Sequence, residues 1–78
     1  MKVIIALRAD DEADIPALAL SLREMKAVEE ALELSGGLDI MLKLRSDSVS
    51  ELNALIERIK STRGVKSAES YLVIGESR

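Results

Sequence analysis

Hydrophobic and polar positions alternate strictly over Leu38, Ile40, Leu42 and Leu44 against Asp39, Met41, Lys43 and Arg45, the period of a half-buried strand with one apolar face. Just before it, Ser35-Gly36-Gly37 supplies residues that take positive φ without a Cβ clash, which suits a tight reversal between antiparallel strands. A central hairpin is therefore expected. Val3 to Leu7 is a short, unbroken apolar stretch rich in β-branched residues, as in a strand buried on both faces, and Arg8 to Glu12 closes it. Ile15, Leu18, Leu22 and Met25 then recur at helical spacing. Pro16 stands in the first turn and Asp14 brings favourable charge to that terminus.

The segment Lys26 to Leu34 reads two ways. Its Ala and Glu content suits a continuation of the first helix to Gly36. The alternation of Val28, Glu30, Leu32 and Leu34 with Ala27, Glu29, Ala31 and Glu33 suits a strand, and only a strand gives residues 38–45 a hairpin partner. The strand is the reading adopted. Ser48 and Glu51 form a capping box, followed by a helix whose Val49, Leu52, Leu55, Ile56 and Ile59 share one face and which Gly64 ends. Val65 to Ile74 alternates again. Val65, Tyr71 and Val73 lie on one side, and Ala68, Ser70, Leu72 and Ile74 on the other.

The order strand, helix, strand, strand, helix, strand predicts an α+β, ferredoxin-like βαββαβ fold, a four-stranded antiparallel sheet with both helices on one face. The opposite face would carry Ile4, Ala6, Met41, Leu72 and Ile74, diluted by Lys43 and Glu29. A partly apolar open face of this kind reads as an assembly surface. Size strengthens the inference, because a 78-residue chain hides only about 60% of its unfolded surface. With no Cys and no His, disulfides and soft metal sites are unavailable, which leaves self-association.

Charge and residue types narrow the function. The net charge of −3, with cations interspersed among acids, argues against direct nucleic-acid binding, which needs clustered cations. No apolar run approaches the ~20 residues of a membrane span, and the start is too short for a signal peptide; a single cytoplasmic domain covering residues 1–78 is expected. Nucleophilic catalysis has no recognisable activated residue, so a non-enzymatic role without cofactor is expected. Asp10, Asp11, Glu12 and Asp14 read as a solvated loop and not a metal site.

From Val28 to Ile74 the chain resembles the ligand-binding (RAM) domain of the Lrp/AsnC transcriptional regulators. The residues that carry the likeness are Ser35-Gly36-Gly37-Leu38-Asp39 at the hairpin, Glu51-Leu52-Asn53 opening the second helix, and Gly64-Val65 leading into Ala68 to Ile74. The resemblance implies dimers formed face to face through the open sheet, assembling into octamer or decamer rings of four or five dimers. It also implies amino-acid effectors bound between dimers, and full-length Lrp/AsnC-type regulators as partners. The family's helix-turn-helix has no counterpart in the sequence. Leu38 and Leu32 stand where the family often has aromatics, and Ala68 and Ser70 where it has alternating Thr.

On this footing Gly36 and Gly37 would offer backbone amides to an effector's carboxylate, Asp39 would meet its ammonium, and Ser70 would add a hydroxyl. Charge-assisted hydrogen bonds contribute roughly 1.5 to 3 kcal/mol each, so two or three support micromolar-class binding. The alternative is that the glycines only make the turn and Asp39 caps it. Two other functions compete at the level of the chain: an oligomerisation or interaction module with no small-molecule ligand, and an enzyme of the small α+β-barrel monooxygenase type, which shares topology only.

Overall fold

The computed structural model describes residues 1–77. The chain runs β1 (Lys2–Ala9), α1 (Ile15–Arg23), β2 (Val28–Glu33), β3 (Ile40–Arg45), α2 (Val49–Lys60) and β4 (Val65–Leu72). These strands form one antiparallel sheet in the order β2-β3-β1-β4, the ferredoxin-like arrangement. Residues 28–33 are a strand. Helix α1 stops at Arg23, so Met25 lies beyond it in the turn to β2, although it still packs against the core.

Pairing register shows why one side of the sheet is the core. Val3, Ile5 and Leu7 of β1 stand opposite Leu44, Leu42 and Ile40 of β3, and paired residues point to the same face. All six are at most 2% exposed. Leu18, Ala19 and Leu22 of α1 and Ile59 of α2 complete the same cluster. Both helices begin on side-chain caps that satisfy backbone donors left free in the first turn. Asp14 Oδ1 accepts from the Ala17 N–H at 3.1 Å and Ser48 Oγ from the Glu51 N–H at 3.1 Å. Asp14 is thus the N-cap itself, a closer role than a charge near the terminus.

Several details depart from the sequence reading. Strand β1 extends through Arg8 to Ala9, with a register shift between them against β4. Strand β3 begins at Ile40 and not Leu38, and β4 ends at Leu72 and not Ile74. A bulge between Val28 and Glu30 breaks the alternation of β2. It places Val28 and Ala31 opposite Leu44 and Leu42, while Glu30 and Leu32 stand opposite Lys43 and Met41. The composition of the open face also changes. Leu72 pairs with Val3 and therefore belongs to the helix side, whereas Tyr71 pairs with Ile4 and joins Ala6 and Met41 on the open side. Ile74 lies beyond the strand and is 95% exposed.

Candidate functional site

The hairpin expected at Gly36-Gly37 is a six-residue loop, 34–39, wider than a tight two-residue turn. The Leu34 N–H donates to the Asp39 carbonyl at 2.9 Å and closes its neck. Gly36 has φ +115°, a backbone conformation that L side chains rarely adopt; Gly37 is not in this region. A Cβ built on either glycine would meet nothing within 4 Å. Ser35, Gly36 and Gly37 are all exposed.

Asp39 is held from two sides by the end of β1. Its N–H donates to the Leu7 carbonyl at 3.0 Å, and its Oδ2 accepts from the Ala9 N–H at 2.8 Å. That amide sits at the register shift between Arg8 and Ala9, where the ladder to β4 is locally interrupted and a donor needs a partner from elsewhere. The carboxylate supplies it. One step along the chain, the Asp10 N–H donates to the Gly64 carbonyl at 2.8 Å. The hairpin, the β1–α1 loop and the α2–β4 turn are thereby tied at one end of the sheet. Nothing in the local sequence marked Ala9 as the partner of Asp39; the one available signal was that an acid closing a hairpin must find donors on a neighbouring strand.

Gly36, Gly37 and Asp39 lie together in one loop, and Ser70 does not join them within a protomer. Ser70 stands opposite Ile5, on the helix side of the exposed edge strand β4. Ile5 is four residues from the Ala9 amide that Asp39 binds, about 13 Å along the strand at ~3.3 Å per residue.

The open face has its own polar contacts. Lys43 Nζ lies 3.7 Å from Glu30 Oε2 and Arg45 Nε 3.3 Å from Glu29 Oε2. The Tyr71 hydroxyl donates to Glu69 Oε2 at 2.6 Å, and this bond together with the carboxylate's charge raises the phenol's pKa above its ordinary 10.0. Among the described residues no group of three or more acids, His or Cys could hold a metal ion, and no helix is long and apolar enough to cross a membrane.

A four-stranded antiparallel sheet in the order β2-β3-β1-β4, with βαββαβ element order and one bare face, places the chain among the small ferredoxin-like α+β domains. The chain belongs to the Lrp/AsnC ligand binding domain family, whose model matches residues 2–77. Homocitrate synthase of Saccharolobus islandicus is similar to it, 31% identical over 74 residues that make up 95% of this chain and 16% of that protein. The chain thus spans only about a sixth of the length of the curated relatives it matches. Among solved structures, TTHA0845 from Thermus thermophilus superposes with TM-score 0.86 at 23% identity, covering 99% of this chain and 96% of that one. The transcriptional regulator NMB0573 from Neisseria meningitidis, solved as a complex with L-Met, gives TM-score 0.87 at 22% identity, covering 99% of this chain and 51% of the regulator. These two likenesses establish the shared fold.

Proposed function

We propose that this chain is an oligomeric amino-acid-sensing module that regulates a larger assembly and neither reads DNA nor catalyses a reaction itself. The observation that carries the reading is the hairpin loop, where the exposed residues Gly36 and Gly37 share one six-residue loop with an acid already fixed by the sheet. The family is one of ligand-binding domains, and a regulator of the same fold was solved with L-Met. An effector's carboxylate would be met by the glycine amides and its ammonium by the second oxygen of Asp39. Ser70 would then come from another protomer, since within one chain it sits on a different strand. The bare face, with Ile4, Ala6, Met41 and Tyr71, supports pairing of two copies, and dimers would associate through the hairpin ends into rings or with full-length Lrp/AsnC-type regulators.

Binding would act by shifting the assembly equilibrium, because a ligand moves an equilibrium only as far as its affinities for the two states differ. A second reading has its own support. The 31% identity to homocitrate synthase fits a module whose effector controls an enzyme and not a promoter. Calorimetry of the chain against each of the twenty amino acids, paired with sedimentation, tests the proposal. Heat from a small subset, with a change in mass at saturation, is expected. Silence from all twenty with a stable oligomer would leave a pure oligomerisation module and overturn the sensing role.

A further inference from the structure

At the opposite end of the sheet from the hairpin, a groove of about 640 Å³ runs between α2 and the turn that leads from α1 into β2. We infer that this groove is a second small-molecule site, complete within one protomer, for a zwitterion with an aliphatic side chain: a free amino acid or a short peptide with free ends. The inference goes beyond the hairpin reading and does not depend on it.

Three observations carry it. The first is charge. Lys26 and Arg58 line the groove together with Asp47 and Glu51, yet among the described residues none of these four side chains forms an ion pair. Opposite charges that share one concavity without collapsing onto each other leave a field across it, and the complementary guest carries both signs. A nucleotide or a polyanion would meet the two acids, and all four charged residues are exposed and open to a guest from solvent. The second is the floor. Glu51, Ala54, Leu55 and Arg58 follow one another at helical spacing on a single face of α2, so Ala54 and Leu55 place apolar surface between the acid and the base. Met25 faces them from the other wall, and Met25 and Leu55 are only half-buried. A volume near 640 Å³ lies within the range of roughly 300 to 1,000 Å³ usual for small-ligand sites.

The third is rigidity. The turn that forms one wall is fixed by Met25 N–H to the Leu22 carbonyl at 3.1 Å and Val28 N–H to the Met25 carbonyl at 3.0 Å. It is tied to β3 by Arg45 N–H to the Ala27 carbonyl at 3.0 Å. Ser46, only 6% exposed, donates from Oγ to the Ser48 carbonyl at 2.9 Å and anchors the start of α2. Walls held this way need little reordering when a ligand enters. Of the cations, Arg45 is already matched to Glu29, which leaves Arg58 and Lys26 to receive a carboxylate and Asp47 and Glu51 an ammonium.

Amide-resolved NMR titration of the whole chain with each of the twenty free L-amino acids, and with Ala-Leu and its N-acetylated form, tests this. Saturable shifts confined to residues 25–27, 47 and 51–58 are expected for at least one aliphatic amino acid or for Ala-Leu. Arg58→Gln should weaken them tenfold or more, and N-acetylation, which removes the ammonium, should abolish the dipeptide response. Gly36→Val should leave the groove shifts in place. Shifts only at residues 34–39 would overturn the groove site while upholding the hairpin reading. Shifts at the groove that survive Arg58→Gln unchanged, or no groove shifts up to millimolar ligand, would overturn it outright.

Discussion

On the helix side of the sheet Val3, Ile5, Leu7, Ile40, Leu42 and Leu44 are at most 2% exposed, whereas on the other side of the same strands Ile4 and Met41 are half-buried and Tyr71 is 52% exposed. Both faces use aliphatic residues, but the open one interleaves them with ion pairs. Lys43 with Glu30 and Arg45 with Glu29 lie among the apolar positions there. Exposed pairs of this type contribute little to stability, typically under about 1 kcal/mol, so their effect is to keep the face compatible with water. One face therefore builds the core of the single chain, and the other is left bare.

The comparison predicts a large difference between Leu42→Ala and Met41→Asp, adjacent positions that point to opposite sides. Removing Leu42 from the core should cost about 2–5 kcal/mol, the transfer term plus the cavity left behind. For a chain of this size that is a large share of a total near 0.05–0.15 kcal/mol per residue, and urea unfolding at fixed protein concentration should show it as a lowered midpoint. Met41→Asp should leave far-ultraviolet dichroism native and reduce the sedimenting mass to that of one chain. If the mass is unchanged, the open face is not where copies meet.

A third variant separates the two glycine turns. Gly64 has φ +98°, and a Cβ there would lie 3.6 Å from Leu18 Cδ2; its carbonyl accepts from Asp10. Space is adequate but the backbone conformation is not, so Gly64→Ala should destabilise by about 1–3 kcal/mol. Gly36→Ala meets the same conformational penalty in a loop with nothing around it, where the backbone can relax, and should cost less. Thermal melts of the pair read the difference directly, and equal losses would show that the hairpin is as constrained as the core turn.

The open face also shows where sequence sufficed and where it did not. Alternation in residues 40–45 was enough to divide β3 between the faces, because nothing interrupts its register with β1. In β2 the bulge at Val28 and Glu30 depends on how two strands meet, not on local preference, so the alternation read across it was false. In β4 the period separated Tyr71 from Leu72 but wrongly grouped Tyr71 with Val65, which the register shift at Arg8 and Ala9 sets opposite Ala9 on the helix side; pairing with Ile4 and Val3 decides which of Tyr71 and Leu72 faces the helices. At the site, the glycines announce a loop by their own conformational freedom. The bond from Ala9 to Asp39 spans 30 positions, and nothing short of the three-dimensional pairing brings those residues together.

The smallest expected effect falls on Tyr71, the single aromatic residue of the chain. Its hydroxyl donates to Glu69, and that bond, followed by the carboxylate's charge, raises the phenol's pKa above 10.0. A group whose folded pKa is raised adds stability that is fully present below its unfolded value, near 10, and is lost as the pH climbs through the folded value. Nothing should therefore change at neutral pH. Any loss should begin only above about pH 10, and its size must be slight because the residue faces solvent. Spectrophotometric titration of the phenolate absorbance checks the cause: Glu69→Gln should bring the midpoint back toward that of free tyrosine. Contact with a second copy through the open face would exclude water from the pair and move the native midpoint higher still, so comparing the chain with Met41→Asp turns one side chain into a reporter of which face of the sheet is covered.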